Sequence, residues 1–311
     1  MQLDKKQPLK PDQLLLISAV SLLCIGLLTV SSASMVIAEE KFANTFHFVI
    51  RHGISIFIAM CCAVLAYQIP MRLWERASSL LFFFAVLMLV LVLLVGNTVN
   101  GSTRWVSLGF MNFQPSEVAK IFVLIYMASF IVRKKDEVRG QITGILKPTA
   151  ILFLPAILLL LEPDFGSVVV LSIATFAMLF MGGVRVRYFA LLVLAGILLF
   201  YALLITQPYR VARLSGFLRP WENQFGSAYQ LVQSLIAYGR GEWFGQGYGN
   251  SVQKLFYLPE AHTDFLLAVL AEEFGLFGVM TVIMLFSVLV LSALFISRSA
   301  EQRGAYFSAY L

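Results

Sequence analysis

Asp264 ends the stretch Ala-His-Thr-Asp, where a polar, glycine-rich segment gives way to a long apolar run. A carboxylate at such a boundary can serve as a general base toward an incoming hydroxyl. It can equally cap the helix that follows, and spacing alone leaves both readings open. Glu117 and Lys120 stand three apart at the head of another apolar run, so a helix puts them on one face. They read as a structural ion pair or as part of a site. Asp164, in LEPDFGS, reads as a helix cap or as a further site carboxylate, with Glu162 two residues before it. Glu272 and Glu273 interrupt the apolar run after Asp264. Charges placed so are costly in hydrocarbon and normally face a protein-lined cavity. Arg210 and Arg213 are three apart in PYRVARLSGF, and Arg219, Arg240 and Lys254 follow. Guanidinium groups are well matched to phosphate, although a long loop over anionic lipid carries arginines for that reason alone. Arg104 with Trp105 reads as an interfacial anchor pair.

The elements that must position these residues follow from composition. Of 311 residues, 59% are hydrophobic and 13% charged, with a mean hydropathy of +0.85. The charged share is about half the roughly 25% of soluble domains, too little polar cover for a water-soluble fold. Disorder is excluded on the same ground, and a secreted disulfide scaffold by three cysteines in the whole chain. A helical span needs about 20 apolar residues. Eight runs qualify: about 13–33, 46–66, 78–97, 116–132, 148–162, 166–183, 187–206 and 264–297. The predicted fold class is an all-α polytopic integral membrane protein, a single membrane domain over 1–311. The last run is long enough to be tilted, kinked or extended beyond the bilayer. The first run is too long for a signal-peptide core and reads as an anchor.

Fourteen of the 23 lysines and arginines fall at the ends of runs or in short loops on one side, from Lys5 to Arg303. That bias predicts both termini in the cytoplasm, with residues 1–12 as a cytoplasmic tail. The basic balance, net +6, then reflects cytoplasmic flanks facing anionic lipid and calls for no nucleic acid. One connection is long, 207–263, on the outer side. A loop of this length is functional or structured in its own right. Its 228–238 stretch predicts a short amphipathic helix at the interface, followed by glycines that mark a turning segment. GQGYGN follows no strand, so a dinucleotide fold is excluded. Cys24, Cys61 and Cys62 fall in the first two runs as apolar packing. His47 and His52 are five apart, off the spacing of two ligands on one helix face, so a metal cluster has no support. The topology puts every charged candidate in the outer half of the bilayer. A transporter keeps its site near the midplane between repeats, and no repeat is evident. An outer-boundary cluster suits a substrate with a lipid tail and a polar head.

Taken together, GSTRWVSLGFMNFQPSEVAK at 101–120, LEPDFGSVVVL at 161–171 and the stretch 220–265 ending in NSVQKLFYLPEAHTDF resemble motifs of the SEDS proteins (shape, elongation, division and sporulation). The likeness runs from the first span to the end and is nearest to the cell-division member. It implies a peptidoglycan glycosyltransferase that polymerises lipid II at the outer face of the cytoplasmic membrane, at the division septum. The implied partners are a cognate class B penicillin-binding protein and other division membrane proteins. Asp264 matches the family's essential aspartate. Arg104, Glu117, Lys120, Asp164, Arg210 and Arg213 match further functional positions, and Arg240 joins them as a candidate for the pyrophosphate. No cofactor is implied, and a divalent cation is left open. Glu162 departs from the usual Gln before Pro-Asp, and Phe165 from the usual Leu. The family pattern has about ten spans, so its final two lie beyond Leu311. A lipid-precursor flippase is the alternative in a transporter class, and it predicts charges along a path through the membrane. A non-catalytic division scaffold is the other, and it predicts that Asp264 is dispensable.

Overall fold

A computed structural model of the chain describes residues 10–99, 102–107, 112–206 and 208–311. Residues 1–9 of the expected tail at 1–12 lie outside them, and Pro11 and Asp12 already belong to the first helix. Among the described residues, seven helices are long and apolar enough to cross a membrane: α1 (Pro11–Phe42), α2 (His47–Gln68), α3 (Met71–Val95), α4 (Pro115–Arg133), α6 (Thr143–Leu161), α8 (Val186–Ile205) and α11 (Leu266–Gln302). The expected sixth span is α7 (Phe165–Met181), apolar but only 17 residues long. At about 1.5 Å per residue it covers about 25 Å, a little short of a hydrocarbon core of about 30 Å. The short helix α5 (Lys135–Gly140) joins α4 to α6. Helix starts follow local chemistry. Pro11 and Pro115 occupy first-turn positions, where a missing N–H costs nothing. The backbone N–H of Lys10 donates to Gln13 Oε1 at 3.1 Å.

By packing, the chain divides into two compact units. One comprises the chain up to Ala66 with Ala202–Ile296; the other comprises Tyr67–Tyr201 with Ser297–Leu311. The second unit has a continuous apolar core. Leu89 of α3, Val123, Met127 and Ile131 of α4, Leu159 of α6 and Leu171 and Leu179 of α7 are each 1% exposed or less. Helix α12 (Tyr306–Tyr310) adds Phe307 and Tyr310 to it. The first unit is held by small residues, with Ala33 of α1, Ala237 of α10 (Tyr229–Gly241), Ala261, Ala268 and Val269 buried together. Small side chains let helices approach closely where lipid offers no hydrophobic driving force. Helix α2 has no buried residue, which suits a helix surrounded by lipid.

Two elements go beyond the sequence reading, a small sheet and helix α9 (Pro208–Leu218) in the long connection. A small antiparallel sheet, β1 (Asn97–Val99), β2 (Ser102–Ser107) and β3 (Asn112–Phe113), lies between α3 and α4 in an otherwise helical chain. Trp105 pairs with Asn97 and Val106 with Phe113. The long connection is largely ordered as helix. It holds α9 (Pro208–Leu218), a 3-10 turn at Trp221–Asn223, the expected α10, and a tight turn at Gln253–Tyr257. Helix α9 was not foreseen as a helix.

Candidate functional site

In the first unit, α11 is broken rather than continuous. Gly275 has φ 65° and ψ −163°, outside any helix, so two helical pieces meet there. The backbone groups freed by the break are taken up by the segment after α10. Leu276 N–H donates to Glu242 O and Phe277 N–H to Trp243 O. Gln246 and Gly247 N–H donate to the carbonyls of Glu272 and Glu273 at 2.9 and 3.0 Å. Non-helical backbone in a membrane protein is tolerated where protein satisfies it in this way. The approach requires glycine: a Cβ on Gly241 would lie 2.0 Å from Ala271 O, and one on Gly245 would lie 2.1 Å from Glu273 O. Residues 240–272 therefore form a closed loop whose two ends are clamped together.

Asp264 lies in the returning limb of that loop, two residues before α11 begins. The Glu260 carbonyl fixes its turn by accepting from Thr263 N–H and Phe265 N–H, both at 3.2 Å, and the Glu260 carboxylate accepts from the Thr263 hydroxyl at 2.8 Å. Leu258 and Ala261, earlier in the same limb, are buried in the unit's core. The His262 ring lies 5.0 Å from that of Phe48. Burial pushes the His262 imidazole below its usual value, Glu260 pulls the other way, and Lys41 adds to the lowering. The Asp264 side chain is exposed and has no hydrogen bond or ion pair among the described residues. It does not cap α11. A shallow groove of about 450 Å³ opens in the same unit, lined by Met35, Val36, Glu39, Glu40, Thr45 and Phe256.

Glu272 and Glu273 are fully buried against protein rather than facing a cavity. Glu272 accepts from Ser251 Oγ at 2.6 Å and from the backbone N–H of Val252 and Gln253, both at 3.2 Å. It also pairs with Arg240 Nε at 3.4 Å. Glu273 accepts from Lys254 Nζ at 2.8 Å and Ser32 Oγ at 2.5 Å. Lys254 is thus a buried partner of a carboxylate, not a loop-surface cation. Arg240 is half exposed and Arg213 exposed on α9; the Arg210 side chain lies outside the described residues.

The remaining candidates belong to the second unit. Glu117 and Lys120 pair at 2.8 Å in the first turns of α4, with Lys120 the better buried. Asp164 caps α7, accepting from Ser167 N–H at 3.1 Å and Ser167 Oγ at 2.7 Å. Arg104, on β2, reaches the same turn. It contacts the Pro163 carbonyl, donates to Glu162 O at 3.4 Å and pairs with Asp164 at 3.6 Å. Its role as an interfacial anchor gives way to that of a tether between sheet and turn. Burial, then the neighbouring Asp164 charge, push the Glu162 carboxyl up to about 7, and Arg104 opposes them. Asp264, Arg213 and Arg240 therefore gather in one unit, and Arg104, Glu117, Lys120 and Asp164 in the other. Sequence reasoning missed Ser32, Ser251 and Lys254 as partners of Glu272 and Glu273. The visible signal was two acids in an apolar run, which demand buried donors from somewhere. Among the described residues no three His, Cys, Asp or Glu side chains gather as a metal site.

Fold and site define a polytopic helical membrane protein with a free carboxylate held at the mouth of a broken helix. The family model described as cell cycle protein, spanning FtsW, RodA and SpoVE, matches residues 12–310. The chain belongs to this family, that of the SEDS proteins. It is similar to proteins named "Probable peptidoglycan glycosyltransferase FtsW" from Coxiella burnetii, 49% identical, and Pseudoalteromonas translucida, 45% identical. Those matches cover 96% of this chain and 81% and 75% of the relatives. Among solved structures, a chain of a peptidoglycan synthase complex superposes with a TM-score of 0.75 at 24% identity, covering 95% of this chain and 81% of that one. Thermus thermophilus rod shape determining protein RodA superposes at 0.63 and 22% identity, covering 95% and 78%. These likenesses carry the helical fold.

Proposed function

We propose that the chain is a peptidoglycan glycosyltransferase of the division type, polymerising lipid II at the outer face of the cytoplasmic membrane. Family membership and the names of its relatives support the class of reaction. The observation that carries the mechanism is Asp264, exposed, unpaired among the described residues and held on a fixed turn just before α11. An acceptor sugar hydroxyl must lose its proton as its oxygen attacks the anomeric carbon of the donor. A carboxylate with no other partner is free to take that proton. The new glycosidic bond forms as the bond to the lipid pyrophosphate breaks, with inversion at the anomeric carbon. The leaving group departs without an acid but gains negative charge, which nearby cations stabilise. Arg213 and Arg240 are the candidates in the unit that holds Asp264, with Arg210 beside them in sequence. Lys120 and Arg104 stay candidates by the family resemblance alone. Asp164 holds its helix and Arg104.

The protein works with a class B penicillin-binding protein that cross-links its product, among other division proteins at the septum, with its N-terminus in the cytoplasm. The test is polymerisation of labelled lipid II by the purified protein in proteoliposomes with that partner. Glycan ladders support the proposal. Their absence, with the partner and lipid shown to be competent, returns the flippase and scaffold readings.

A further inference from the structure

We infer that Lys254, Glu273 and Ser32 form a buried lock that positions Asp264, so that Lys254 and Glu273 are positioning residues of the reaction. The inference rests on the reading of Asp264 as the base. The three side chains close a triangle: Lys254 Nζ lies 2.7 Å from Ser32 Oγ and 2.8 Å from Glu273 Oε1, and Ser32 Oγ lies 2.5 Å from the same oxygen. Lys254 is 6% exposed, Glu273 1% and Ser32 2%. A charge pair buried to this depth is not needed for stability, because apolar residues of similar volume usually serve as well or better. Its use is to fix geometry. The lock joins three elements of one unit: α1, the broken helix α11 and the loop that carries Asp264. Glu272, one residue away, holds the same stretch by accepting from Ser251, Val252 and Gln253.

The loop returning to Asp264 is therefore anchored at 251–254 and again where α11 begins. Only nine residues, 255–263, lie between the anchor and the carboxylate, and two of them, Leu258 and Ala261, are buried in the unit's core. Releasing the anchor lets the Asp264 turn drift relative to α1 and α11. A misplacement of about 1 Å at a reacting group costs roughly 100-fold in rate.

The test compares the parent with K254A/E273Q, which cuts the tether and leaves no charge buried alone. S32A removes only the α1 corner and K254R keeps the cation. Hydrogen exchange of the 250–265 segment is read beside kcat and KM for lipid II polymerisation. The expected result is faster exchange confined to that segment and a kcat lowered roughly 10- to 100-fold at unchanged KM in K254A/E273Q. S32A should lie between it and the parent, and K254R should recover most of the activity. Unchanged exchange, or faster exchange with parental kcat, overturns the inference, as does a change confined to KM. D264A is run alongside: parental activity there overturns the reading of Asp264 as the base, while the exchange result still decides on the lock.

Discussion

Asp264 and Asp164 show how surroundings divide the labour of identical side chains. Asp164 is buried, caps α7 through Ser167 and pairs with Arg104, so its acceptor capacity is spent on the fold. Asp264 is exposed and, among the described residues, unpaired, so it is free for a substrate proton. Glu162, in the turn between α6 and α7, is a third case. Burial raises its carboxyl from the ordinary 4.5 to about 7, so the folded chain holds that proton more tightly than the unfolded chain. Its contribution to stability is full below about 4.5 and is lost as pH rises through about 7. Thermal melts of the parent should therefore weaken across that window, and those of Glu162→Gln, neutral at every pH, should not. Lys120 makes an i,i+3 pair with the exposed Glu117, which is worth about 0.5 kcal/mol. Lys120→Ala should leave the melting temperature nearly unchanged yet slow polymerisation several-fold. Equal rates would remove Lys120 from the list of pyrophosphate ligands.

At the scale of elements, the clamp between the 242–247 segment and the break in α11 makes distinct demands on two glycines. Gly245 has φ 81° and its Cβ would meet the Glu273 carbonyl; Gly249 has φ 84° with open space around it. Gly245→Ala should cost on the order of 3 kcal/mol or more, and Gly249→Ala about 1 kcal/mol, as read by thermal melts. The spans were legible from sequence because hydropathy over about 20 residues reports directly on the bilayer. The helix α10 was legible through its apolar spacing. The break in α11 was foreseen only as one of three ways to fit a long run. Its place at Gly275 depends on a backbone ladder to Glu242, Trp243, Gln246 and Gly247, far back in the sequence, which no local pattern encodes. The β1–β2 hairpin had a local signal, the Asn100-Gly101 dipeptide suited to two-residue turns, which the strength of the helical pattern obscured. The charged candidates were legible as residue types, but their partners were not. Ser32 and Glu273 are 241 positions apart, and only packing brings them together.

For the whole molecule, the division into two units separates the roles. One unit holds the carboxylate, the broken helix and the lock; the other holds a tightly packed four-helix core with the Arg104–Asp164 tether. The asymmetric distribution of lysine and arginine predicts that the 207–263 connection faces outward. A cysteine-free background carrying Gln224→Cys should react with an impermeant maleimide on intact spheroplasts, and Lys134→Cys only after permeabilisation. The reverse pattern would invert the topology and remove the outer-face reaction. The central claim is that Asp264 takes the acceptor proton, and the most direct measurement is the initial rate of labelled lipid II polymerisation by the parent, Asp264→Ala and Asp264→Asn. Each variant is to be shown folded by its melting temperature and paired with the same penicillin-binding partner. Loss of a general base predicts rates lowered by at least about 100-fold in both variants with the fold intact. Glycan ladders formed by either variant at the parental rate would contradict it.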